Sequence, residues 1–137
     1  MRVILAIDQG TTGTTVAVMN TRGVLLGSVN HEFPQIFPKP GWVEHEPEAI
    51  WKSVLKGIRA VFRKGLCKPA DIACIGITNQ RETALLWERR TGKPVGRAIV
   101  WQCRRTASFC ESLRKKGLEP MVPVSYTHLT LPTTHCV

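Results

Sequence analysis

The segment Asp8-Gln9-Gly10-Thr11-Thr12-Gly13-Thr14-Thr15 sits between two apolar runs, residues 3–7 and 16–19. Each run reads as a buried strand, so the chain reverses between them. A carboxylate, two glycines and four threonines then share one tight turn. Glycine at positions 10 and 13 lets the backbone come close to a neighbour or take positive φ. Backbone N–H groups and threonine hydroxyls can point at anionic oxygens. Asp8 would repel a phosphate, so its use in such a cradle is to hold Mg²⁺ or its water shell. Two readings are open: a polar hairpin turn without a ligand, or a phosphate cradle. Neither the Walker loop nor the dinucleotide fingerprint fits, because no Gly-Lys-Ser/Thr follows and no helix opens there.

The 137 residues fit one domain with a real core. The apolar fraction of 43% and charged fraction of 21% are those of globular material. A net charge of +9 raises the question of nucleic acid. The bases are scattered over loops and helix ends, at Arg89-Arg90, Arg104-Arg105 and Arg114-Lys115-Lys116, rather than gathered in a stripe with aromatics. A solvated surface is expected, with no nucleic-acid partner, and the balance suits an anionic substrate such as a nucleotide. Five cysteines without C-x-x-C spacing point to a reduced, cytoplasmic setting. Cys74 and Cys110 lie in patterns where a buried thiol is expected. No secretory leader or membrane span is expected from the apolar runs.

Residues 2–8, 14–20 and 24–33 read as three strands in an antiparallel meander, with Asn20-Thr21-Arg22-Gly23 as a turn. A Pro-rich loop covers 34–47. The spacing of Ile50, Trp51, Val54, Leu55, Ile58, Val61 and Phe62 predicts a helix with those residues on its core face. Pro47 suits its first turn, and Arg63, Lys64 and Gly65 its end. Residues 72–77 predict a strand buried on both faces, residues 84–88 another strand, and residues 105–116 a second helix. The order argues for an α/β domain with a mixed sheet.

Two further polar clusters stand at strand ends. Thr78-Asn79-Gln80-Arg81-Glu82-Thr83 offers a fork of donors beside a carboxylate, which together suit a polyol. Arg81 and Glu82 are adjacent, so both face one ligand only if the backbone turns there. The alternative is a surface ion pair. Trp101, in Trp101-Gln102-Cys103-Arg104-Arg105, is either core filling or the apolar wall of a small pocket.

Four segments in order resemble the N-terminal region of the glycerol kinase branch of the carbohydrate kinases. They are Asp-Gln-Gly-Thr-Thr at 8–12, Phe-Pro-Lys-Pro-Gly-Trp-Val-Glu-His at 37–45, Gly-Ile-Thr-Asn-Gln-Arg-Glu-Thr at 76–83, and Ala-Ile-Val-Trp-Gln-Cys-Arg-Arg-Thr at 98–106. The resemblance runs from the N-terminus to about Val122. It implies an actin-like, ribonuclease-H-like fold and ATP-dependent phosphorylation of glycerol to sn-glycerol 3-phosphate. By that likeness Thr11, Thr12 and Gly13 contact ATP phosphates, and Asp8 helps organise Mg²⁺. Arg81 and Glu82 hold glycerol hydroxyls, and Trp101 packs on its carbon face. Thr15 stands where some relatives carry a phosphate-contacting Arg, which leaves that contact open.

The resemblance also implies a second actin-like domain, supplied by later sequence, that carries the general-base Asp. Residues 1–122 are then an incomplete N-terminal kinase domain without the catalytic base, inactive by itself, and the full enzyme a homo-oligomer. The tail from 123 to 137 matches no part of that family. It reads as a non-native end, and Tyr126, His128, His135 and Cys136 are given no role in it. Two other readings are a different sugar or polyol kinase of the family, and a non-catalytic actin-like nucleotide-binding module.

Overall fold

The computed structural model describes residues 2–118. The expected tail at 123–137 lies outside them. The chain divides into two compact units, Met1–Cys103 and Arg104–Val137.

The first unit is built on a four-stranded sheet. Its strands are β1 (Val3–Gln9), β2 (Gly13–Asn20), β3 (Leu25–Glu32) and β5 (Ile72–Thr78), in the order β3-β2-β1-β5. β1 to β3 form the expected antiparallel meander, with Val3 opposite Asn20 and Gln9 opposite Thr14. The turn into β3 follows its sequence: the Asn20 side-chain oxygen accepts from the Arg22 and Val24 amides, and Gly23 takes φ 80°. β5 joins β1 in parallel, Ile4 opposite Cys74 and Asp8 opposite Thr78. The sheet is therefore mixed, as expected.

Helix α1 (Pro47–Arg63) crosses one face of this sheet over β2 and β3. Pro47 opens it, Glu48 lies near its positive end and Arg63 near its negative end. Gly65 closes it at φ 67°, its amide on the Phe62 carbonyl and the Leu66 amide on the Val61 carbonyl. This double bond pattern is a Schellman cap. The core beneath holds Val3, Leu5, Ile7, Val16, Val18, Val29, Ala60, Val61 and Cys67.

The buried stripe of α1 is not the one that the large side chains predict. Ser53, Gly57, Ala60 and Val61 face the sheet, whereas Val54 and Ile58 are half-buried and Trp51 is 57% exposed. The stripe lies roughly a quarter-turn away from the centre of the large apolar residues, at 3.6 residues per turn. Close packing is the reason. A Cβ at Gly57 would stand 2.5 Å from Val16 Cγ2, so the helix axis sits where only small residues fit.

Three other expectations are corrected. β5 is not buried on both faces: it is the sheet edge, with Ile75 55% and Ile77 72% exposed, because α1 covers β2 and β3 instead. Cys74 on that strand is exposed with it, and so is Cys110. Residues 84–88 make no strand. They contribute isolated bridges, Ala84 to Ile99 and Trp87 to Pro94, within an open loop. The strand pairing falls instead on β6 (Ala98–Ile99), antiparallel to β4 (Glu44–His45). In the second unit, α2 (Ala107–Lys115) ends on the expected basic turn, with Gly117 at φ 72°.

Gly57→Ala is expected to destabilise the fold by roughly 1–3 kcal/mol through overpacking, despite the better helix propensity of alanine. Val16→Ala in the same chain removes the opposing methyl and is expected to recover part of the loss. Thermal melts of the single and double variants check both.

Candidate ligand site at the strand ends

Because β1 and β5 run parallel, their carboxyl ends lie side by side at one edge of the sheet. β1 delivers the turn at 10–12, and β5 delivers residues 79–83. Ligands commonly bind at that position in α/β sheets.

The first turn is tightly specified. The Gly10 amide donates to the Gly13 carbonyl at 2.9 Å, and Gln9 Nε2 to the Gly10 carbonyl at 2.8 Å. Neither glycine has positive φ. Gly13 is there for close approach, since a Cβ would lie 2.9 Å from the His31 carbonyl oxygen on β3. The four threonines divide by role. Thr14 is fully buried and donates to Ser53 Oγ at 2.7 Å, while Ser53 donates to the Ile50 carbonyl at 2.7 Å. That chain ties the turn to α1 and leaves Thr14 no ligand to bind. Thr15 Oγ1 accepts from Asn30 Nδ2 at 2.8 Å. Thr11 and Thr12 remain at the tip, half-buried and exposed.

The second segment turns at Arg81-Glu82. Glu82 has φ 58°, the only non-glycine positive value among the described residues. Such backbone costs roughly 1–3 kcal/mol and concentrates at ligand sites. Both side chains are exposed.

Trp101 reaches from the end of β6 to the first turn. Its indole Nε1 donates to Thr11 Oγ1 at 3.0 Å, and the ring is 52% exposed. With half of its surface exposed, Trp101 is not core filling. Asp8 is exposed at the end of β1, level with Thr15 and Thr78. One carboxylate beside hydroxyl oxygens suits Mg²⁺, which takes one or two carboxylates and keeps most of its waters. No cluster of three or more acidic, histidine or cysteine side chains occurs among the described residues, so the set suits no all-protein metal cage.

Two residues here carry no prediction from sequence, Gln35 and His45. The 34–47 loop folds back on itself, Ile36 bridging Glu44, with Gly41 at φ 74° in the Pro-Gly-Trp turn. This buries His45 completely, edge-on to Phe33 at 5.0 Å. His45 Nε2 lies 2.6 Å from Gln35 Oε1, and Gln35 Nε2 donates to the Thr11 carbonyl at 2.8 Å. A histidine inside an otherwise unassigned proline-rich motif was the one available signal. Burial lowers the His45 pKa below its ordinary value, and the nearby Gln80 amide opposes this in part.

A family model described as the N-terminal domain of the FGGY family of carbohydrate kinases matches residues 3–136. A glycerol kinase of Sinorhizobium fredii is 57% identical over 116 residues, covering 85% of this chain and 23% of that protein. The solved structure of Plasmodium falciparum glycerol kinase with ADP superposes with TM-score 0.76 at 36% identity, over 85% of this chain and 23% of that one. A ligand-bound xylulose kinase from Lactobacillus acidophilus superposes at 0.81 with 22% identity, over 90% and 24%, a likeness of fold alone. The mixed sheet is thus the actin-like, ribonuclease-H-like sheet expected. The chain spans 23% to 25% of the length of the curated relatives it matches.

Two outcomes are expected here. The unfolded chain protonates His45 near the ordinary value of 6.5, whereas the folded chain resists until lower pH. The contribution of neutral His45 is therefore full above that value and shrinks as pH falls below it. The stability difference between the unaltered chain and His45→Gln should hold above about pH 6.5 and decline as pH falls below it in urea melts. Glu82→Gly should raise stability by roughly 1 kcal/mol, strain relief exceeding the entropy of glycine, as calorimetry would record.

Proposed function

The chain belongs to the FGGY family of carbohydrate kinases, and from that premise we propose that it forms the polyol floor and one phosphate-binding jaw of an ATP-dependent glycerol kinase. The observation that carries this reading is the hydrogen bond from Trp101 Nε1 to Thr11 Oγ1. It joins the apolar wall of a small-polyol pocket to the tip of a hydroxyl-rich turn, so both substrates would meet at one edge of the sheet.

In this reading Thr11, Thr12 and the Gly13 backbone hold ATP phosphates. Arg81 donates to glycerol hydroxyls, Glu82 accepts from them, and the Trp101 face lies against the carbons. Asp8 holds Mg²⁺ through its water shell, and the bound ion would offset charge on the transferring phosphoryl group. The proton of the attacking hydroxyl would go to a carboxylate supplied outside this segment. The work of this segment is positioning: it orients both reactants and contributes to excluding water from between them. The reading carries a cytoplasmic location, and no helix among the described residues is long and apolar enough to cross a membrane.

The substrate choice is testable by calorimetry and Trp101 fluorescence on the purified chain. MgADP and glycerol should both bind, glycerol ahead of xylulose and gluconate. Arg81→Ala and Glu82→Gln should each weaken glycerol about tenfold while leaving MgADP within about twofold. Preference for a sugar would shift the assignment to another kinase of the family. Nucleotide binding without any polyol response would favour the non-catalytic module.

A further inference from the structure

We infer that His45 is a positioning residue for the phosphate turn, acting through Gln35 on the peptide between Thr11 and Thr12. The functional half of this inference rests on the kinase reading; the geometric half does not.

The argument begins with the oddity of the residue. His45 is 0% exposed, and its Nδ1 meets no partner in good hydrogen-bond geometry among the described residues, with the Gln80 amide nearby as its polar neighbour. An unpaired buried polar atom costs about 1–3 kcal/mol, and a leucine or phenylalanine would fill the space without that cost. What an apolar side chain could not supply is direction. Gln35 Nε2 donates to the Thr11 carbonyl at 2.8 Å and lies 3.4 Å from the Phe33 carbonyl, so its Oε1 must point at His45. The 2.6 Å contact then requires a proton on His45 Nε2. That N–H fixes the Gln35 amide. Without it the amide can flip and set its oxygen against the Thr11 carbonyl oxygen.

The consequence reaches the ligand side. In a trans peptide the carbonyl and the following N–H point in opposite directions. Holding the Thr11 carbonyl on Gln35 turns the Thr12 N–H the other way, to the open side of the turn where an anion would sit. The Thr11 side chain is fixed at the same time, because Trp101 donates to its Oγ1. One buried imidazole thus sets a phosphate-facing N–H and steadies the indole wall. This gives the 37–45 motif a task that neither the phosphate nor the polyol assignment provides.

The test uses the purified chain labelled with ¹⁵N. The Trp101 indole N–H resonance is identified by its loss in Trp101→Phe, and MgADP is the titrated probe. His45→Gln keeps an N–H near the Nε2 position; His45→Leu removes it. Gln35→Glu keeps an acceptor for His45 but has no donor for Thr11. The inference expects the indole resonance to shift in His45→Leu and Gln35→Glu, with MgADP weakened about tenfold or more, and His45→Gln to stay near the unaltered chain in both. Cooperative melts certify each variant, and if His45→Leu does not fold, Gln35→Glu carries the test. An unmoved indole resonance in folded Gln35→Glu would overturn the inference. So would a His45→Gln chain that folds yet behaves like His45→Leu. The indole readout needs no nucleotide, so failure of the unaltered chain to bind MgADP counts against the kinase reading and is distinguishable from failure here.

Discussion

Everything at the candidate site depends on the parallel pairing of β1 with β5. The pairing crosses more than sixty residues of sequence and sets Asp8 opposite Thr78. It brings the ends of two strands to the same edge, so the turn after β1 and the turn after β5 become neighbours. An antiparallel pairing would have sent Arg81 and Glu82 to the far end of the sheet. The small β4–β6 pairing completes the arrangement, because the end of β6 delivers Trp101 to Thr11.

A second constraint is how closely α1 lies on β2. The helix approaches until Gly57 meets Val16, and at that distance Ser53 reaches Thr14. Packing and site are linked here. The buried Thr14–Ser53–Ile50 chain anchors the second residue after the turn, while Gly13 lets β2 press on β3. The turn is thus clamped from the helix side and the strand side, with Thr11 and Thr12 at its tip. Rigid supports of this kind are what a preorganised anion site requires. Glu82 adds local strain at the neighbouring turn, a non-glycine residue holding a left-handed backbone.

Much of the fold was legible in the sequence for local reasons. The meander followed from short apolar runs separated by a threonine-glycine turn and an Asn-x-x-Gly turn. The ends of α1 followed from Pro47 and Gly65. The helix face did not, because side-chain size and not hydrophobicity decides which stripe can approach a sheet most closely. The exposure of β5, Cys74 and Trp51 was also not legible. Apolar composition states a preference for burial, but coverage depends on where α1 lies, and α1 lies over β2 and β3. Residues 84–88 have strand-like composition yet find only isolated bridging partners.

The sequence by itself determined the chemistry on offer: a hydroxyl-rich turn with one carboxylate, an Arg-Glu pair and a tryptophan, each at the end of an apolar run. Those are properties of residue type and spacing, and they survive without coordinates. Only the tertiary structure decided which of these groups are free to act. It turned Thr14 inward, engaged Thr15 with Asn30, joined Trp101 to Thr11, and gave Gln35 and His45 a place behind the turn. The physical reason is that hydrogen-bond partners at long sequence separation are chosen by strand pairing and helix placement. A one-dimensional pattern carries propensities, not partners.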